Sequence, residues 1–140
     1  MGITLRKKLH TPIVMLQISI GILYVWFGML KFFPGLSPAE DLAKETIHLL
    51  TFGVISPEIS ILLLAVWETA VGILLLFGLF HRATMVLVLT HMALTFTPLI
   101  LLPQVSFTHT PYALTLVGQY IIKNITIVCA LIVINTSRTK

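Results

Sequence analysis

Charge is scarce in this chain of 140 residues: 10% are Asp, Glu, Lys or Arg and 57% are hydrophobic, whereas a soluble domain usually carries about 25% charged residues. With a mean hydropathy of +1.02, the composition points to a bilayer as solvent. Cysteine is nearly absent. A single Cys129 inside an apolar segment excludes a disulfide framework, a CxxC redox pair and a thiolate metal cage, and with them disulfide generation. Of the five histidines only His91 lies deep in an apolar run, while His10, His48, His81 and His109 fall in loops or at ends. A b-type haem held by two facing histidines is therefore not expected on this sequence, and no flavin or nucleotide motif occurs. The net charge of +4 comes from basic residues at the ends of apolar runs, not from one solvated patch, so no nucleic-acid partner is expected.

Four long apolar runs are present, at about 12–33, 57–80, 83–102 and 111–135, each about the length that crosses the hydrocarbon. Together they predict an all-α, four-helix transmembrane bundle forming one membrane domain over residues 1–140, with no room in it for a separate soluble catalytic domain. The pairs Thr11-Pro12, Ser56-Pro57 and Thr110-Pro111 are expected to open three of the helices, a hydroxyl cap followed by proline in the first turn. Arg6, Lys7 and Lys8 precede the first run as in a signal peptide, but no A-x-A cleavage pattern follows, and the run reads as a retained span. Arg6, Lys7, Lys8, Arg82, Arg138 and Lys140 collect on one side, and Lys44, with Lys31 at a helix end, on the other. The positive-inside rule then puts both termini in the cytoplasm of a multi-pass protein of the plasma (bacterial inner) membrane. In the first outer loop, Ser37-Pro38-Ala39-Glu40 has the form of a capping box and Gly53 of a C-cap. These predict a short amphipathic helix over about 38–52 that lies on the membrane or lids the bundle, a plain connector being the alternative. Thr97-Pro98 should kink the third span.

Each span carries a polar stripe at helical spacing: Gln17, Gly21, Tyr24, Gly28 and Lys31; Ala65, Glu68, Thr69 and Gly72; Thr84, His91, Thr95 and Pro98; Tyr112, Gln119, Lys123 and Thr126. Lipid satisfies none of these polar groups, so all four stripes are expected to face inward. Counted from Pro57 and Pro111 at about 1.5 Å per residue, Glu68 and Lys123 reach the same mid-membrane depth and are expected to pair. An isolated charge there costs about 2.5 to 3.5 kcal/mol. Two readings of such a pair stand side by side: an ion pair that sets helix register, or part of a site for a polar ligand, a quinone head group or a proton. Tyr24, His91, Gln119, Asn124 and Lys31 complete the candidate ligand-binding set. Each has a plainer reading as packing, interhelical hydrogen bonding or, for Lys31, snorkelling to the interface. No metal site and no catalytic residue is expected.

The segments from Trp26-Phe27-Gly28-Met29-Leu30-Lys31 to Phe32-Phe33-Pro34-Gly35 and from Gly118-Gln119-Tyr120 to Ile121-Ile122-Lys123-Asn124, with Glu68, Gly72 and Gly78 between them, resemble the DoxX family of small membrane proteins over nearly the whole chain. The resemblance implies a small membrane subunit of a quinone-linked redox complex. On that reading the protein is expected to carry no covalent cofactor of its own, to bind a quinone-like or other polar ligand in the bundle core, and to work as a homo-oligomer or within a larger membrane complex. Two alternatives remain open: a non-catalytic assembly protein and a small proton-linked transporter.

Overall fold

Ser56 and Pro57 do what their types dictate. The computed structural model describes residues 2–138, with side chains described from Thr11 onward. In it the Ser56 hydroxyl accepts from the Ile59 N–H at 3.5 Å and Pro57 occupies the first turn of α3, Pro57–Phe77. Gly78 ends that helix at φ 64°, returning its N–H toward Leu75, a left-handed position that glycine adopts without steric cost. The second span therefore stops short of the expected Phe80, and a tight turn leads into α4, His81–Thr95.

The other two hydroxyl–proline pairs behave differently. Helix α1 runs over Gly2–Leu30 with Pro12 inside it. Only one helical donor is lost there, and the carbonyl freed one turn back lies beyond the apolar stretch Thr11–Leu30, outside the segment where lipid would leave it unsatisfied. Thr110-Pro111 is a cis peptide in the turn of a small antiparallel hairpin, β1 at Phe107–His109 and β2 at Ala113–Leu114. The cap of the last helix is instead Thr115, whose hydroxyl accepts from the Gly118 N–H at 3.1 Å, and α7 spans Leu116–Arg138. Thr97-Pro98 interrupts the third span as expected, separating α4 from the short α5, Pro98–Leu101, which α6, Pro103–Ser106, follows.

Among the described residues, four helical stretches are long and apolar enough to cross a bilayer: Thr11–Leu30, Pro57–Phe77, His81–Leu101 and Leu116–Arg138. The chain is an all-α four-helix bundle and a multi-pass membrane protein. An even number of spans puts both chain ends on one face, the terminal face, and the connection between the first two spans on the opposite loop face.

Helices α1 and α3 pack antiparallel and closest. Gly28 sits against Glu68 and Thr69, Gly72 against Val25, and Gly21 against Leu76; a Cβ on Gly72 would stand 2.6 Å from the Val25 nitrogen. Small residues let the two backbones approach to this extent. Toward the terminal face the interior is filled by Ile20, Val71, Leu75, Met85, Val88, Leu131 and Ile134, none more than 3% exposed. The same α1–α3 register leaves α3 extending about 13 Å beyond the last turn of α1. Helix α2, Glu40–Leu50, packs beside that projecting part of α3 and touches α5.

The expected capping box of α2 does not form. Ala39 is the N-cap, with no side-chain cap bond, and Glu40 instead accepts from the Gly35 N–H at 2.8 Å while pairing with Lys44 at 2.6 Å. Gly53, at φ 77°, closes the C-terminal turn as expected, its N–H donating to the His48 carbonyl at 2.8 Å.

Candidate functional site

Where α1 ends beside the middle of α3, four buried polar side chains from three helices join in one string. Tyr24 Oη of α1 lies 2.8 Å from Nδ1 of His91 on α4. Nε2 of His91 lies 3.2 Å from Oε1 of Glu68 on α3. Glu68 Oε2 accepts from the Lys31 ammonium at 2.5 Å, and that ammonium also donates to the Phe27 carbonyl at 3.3 Å. None of the four residues is more than 8% exposed. The phenol and imidazole rings meet edge-on, with centroids 5.4 Å apart.

Helical spacing produces this geometry. Tyr24, Gly28 and Lys31 follow at four and three residues on one face of α1, and Gly28, having no side chain, lets α3 close in so that Glu68 reaches the next turn. Helix α4 supplies His91 from the far side. With Glu68 ionised, the carboxylate accepts from both sides, Nε2–H of His91 and the Lys31 ammonium, and the bare Nδ1 accepts the Tyr24 hydroxyl. Every proton-bearing group of the string then has a partner, the condition under which polar groups persist in a low-dielectric interior.

The partner of Glu68 is therefore Lys31 and not Lys123. The Lys123 side chain is exposed on α7, its ammonium 5.2 Å from the centre of the Tyr120 ring. Two physical reasons account for this. The helix begins at Leu116, so Lys123 is seven residues in, about 10 Å, and much nearer the loop face than a start at Pro111 implies. Side chains also tilt toward the helix N-terminus, which for α7 is the loop face, so a lysine there snorkels outward over a tyrosine. Gln119, three residues from the helix start, is exposed as well, and so is Thr126; the fourth stripe faces away from the bundle. The inward face of α7 is instead Gly118, Ile121, Leu131 and Ile134. Asn124 alone among the polar candidates of α7 turns toward a neighbour, donating to the Thr95 hydroxyl of α4 at 3.2 Å.

The first stripe is buried throughout, and so are Ala65, Glu68, Gly72, Thr84, His91 and Pro98 of the second and third. Gln17 sits apart from the string, one end of its amide donating to the Leu75 carbonyl at 2.5 Å and its Oε1 without a partner. The Thr69 hydroxyl, beside Gly28, is also buried without a partner. Near the loop face, Lys44 and the Gly35 N–H hold the Glu40 carboxyl below the usual carboxylate range, and Glu40 in turn raises Lys44. Among the described residues no three of His, Cys, Asp and Glu gather into a metal cage. No family model, curated protein or solved structure matches the chain.

Proposed function

We propose that this protein is a small membrane subunit of a quinone-linked redox complex, similar to the DoxX family, whose Tyr24–His91–Glu68–Lys31 string binds and protonates a quinone-like head group in the bundle core. The observation that carries the reading is the continuous order phenol, imidazole, carboxylate, ammonium across three helices, hydrogen-bonded at Tyr24–His91 and Lys31–Glu68 and joined by a 3.2 Å contact between His91 and Glu68. The donor set fits such a head group, because a phenol and an imidazole backed by a carboxylate are groups that both donate hydrogen bonds and exchange protons. When bound, a quinone supplies reversible two-electron, two-proton chemistry, with the electrons coming from a redox cofactor on a partner subunit.

The string holds one transferable proton in a defined way. In its loaded form the Glu68 acid donates from Oε1 to His91 Nε2, His91 donates from Nδ1–H to the Tyr24 oxygen, and the Tyr24 O–H is free to donate outward. Release of the phenolic proton is matched by transfer of the Nδ1 proton to Tyr24 and of the Glu68 proton to Nε2. One proton leaves, Glu68 ends ionised against the Lys31 ammonium, and both hydrogen bonds of His91 have reversed direction.

On this reading the protein resides in the plasma membrane with both termini cytoplasmic and works as an oligomer or within a larger complex. Purified protein should retain quinone extractable with organic solvent, and Glu68→Gln should lower the retained amount at least tenfold. Wild-type protein without quinone, or a variant that retains as much, refutes the reading.

A second reading, assembly without chemistry, is favoured by the fact that every charge of the string is already paired within the bundle. Exchanging the charges, Lys31→Glu with Glu68→Lys, separates the two. Recovery of folding together with function supports assembly; recovery of folding alone supports the ligand.

A further inference from the structure

We infer that the string exchanges protons with the loop face alone, so that each proton it delivers is drawn from that side of the membrane. The destination of the proton rests on the functional reading above, while the route itself stands on packing.

The two directions out of the string differ in kind. Toward the terminal face, the residues that follow Tyr24 into the bundle are Ile20 of α1, Val71 and Leu75 of α3, Met85 and Val88 of α4, and Leu131 and Ile134 of α7, each at most 3% exposed. The buried polar side chain of α4 on that side, Thr84, lies seven residues from His91 with its hydroxyl donating to the Leu79 carbonyl at 2.8 Å. The next buried polar side chain of α1 is Gln17, one heptad and about 10 Å away, and its donating end is committed to the Leu75 carbonyl, while Ser19 between them is exposed. An apolar layer of that thickness offers a proton no donor or acceptor, and apolar interiors stay dry. Toward the loop face, Lys31 lies just past the last residue of α1, where the helical ladder ends and non-helical chain follows to Ala39. Buried polar side chains occur on that side, at Ser37, Glu40, Thr46, Ser60 and Ser106, interspersed with the apolar Ile61, Ala65, Leu102 and Ile121.

Recharging follows from this placement. The Lys31 ammonium gives a proton to the Glu68 carboxylate at Oε2 and is reprotonated by water from the loop face, so one proton enters and the lysine is unchanged. Glu68 is then back in its acid form and the string again holds the proton it released. The groups facing His91 are few. Helix α1 contributes Tyr24 and, through Glu68, Lys31; α3 contributes Glu68; α7 reaches α4 through the uncharged Asn124, while its Tyr120, Lys123 and Cys129 are exposed on the outside of the bundle. Glu40 and Lys44 of α2 are paired with each other.

The route is tested with the full-length protein reconstituted in one orientation into sealed vesicles, its histidines labelled with 15N and the His91 signals identified by their loss in His91→Gln. The pH is changed on one side at a time with the other clamped. The His91 resonances should move with loop-face pH and ignore the terminal face. A response to terminal-face pH, to both faces equally, or to neither overturns the inference. Lys31→Met should slow the loop-face response at least tenfold, and an unchanged rate removes Lys31 as the entry point. Quinone content of the same vesicles keeps the two readings apart: a loop-face response without retained quinone leaves the route standing and removes the quinone, and retained quinone with a terminal-face response does the reverse.

Discussion

Glu68 is the residue on which most depends, because it accepts from two different helices at once. Glu68→Gln leaves the Lys31 ammonium buried without a counter-charge, and breaking one side of a buried pair costs about 3 to 5 kcal/mol. Thermal unfolding in detergent should show this as a large drop in midpoint, and the double variant Lys31→Met, Glu68→Gln should recover most of it. Lys123 gives the contrasting case. Because it faces outward over Tyr120, Lys123→Met should change stability by less than about 0.5 kcal/mol in the same assay. A loss comparable to that of Lys31→Met would contradict the assignment of the pair. Lys31 itself was legible in the sequence as the last member of the Gln17–Tyr24–Lys31 face. Its partner was not, since the choice between two lysines depends on where α7 starts and which way it turns.

At the scale of elements, the α1–α3 contact is set by absent side chains. Gly72→Leu puts a branched side chain where even a Cβ meets the Val25 backbone nitrogen at 2.6 Å, and overpacking of this kind costs about 1 to 3 kcal/mol. It should also disrupt the string, because Glu68 is carried by the same helix; loss of the His91–Glu68 contact in the 15N spectrum checks this. The start of α2 is tied by charge to the loop before it. The Glu40 carboxyl is lowered by Lys44 and the Gly35 N–H, so its contribution is present above the ordinary carboxylate pKa and is lost as pH falls through the lowered folded value. Lys44 is raised by Glu40, so its contribution is present below the ordinary lysine pKa and is lost as pH rises through the raised value. The Gly35 amide resonance should accordingly titrate below the usual carboxylate range, and Glu40→Gln should abolish that titration. The capping-box spacing pointed correctly to a helix here but not to its bond, because Glu40 reaches back five residues to a loop amide instead of to its own N-cap.

For the whole molecule, four crossings put both chain ends on one face, and reporter tags fused at the two ends should be accessible from the same side, the cytoplasm under the positive-inside rule. Tags that report opposite sides would require an odd number of spans. The order of amino acids was enough to establish the solvent, the number of spans and the polar faces of the first three helices, because hydropathy and helical period are local properties that a bilayer enforces without reference to neighbours. It also marked Ser56-Pro57 as a start and Gly53 as an end, since a cap bond involves only adjacent residues. Packing between helices settled the rest: that Thr115 and not Thr110 opens α7, that the polar stripe of α7 turns outward, and that Tyr24, His91, Glu68 and Lys31 form one string. Those outcomes rest on how far one helix is displaced and rotated against another, and that is fixed by the close approach at Gly28 and Gly72 and by which charges must be covered once the helices meet.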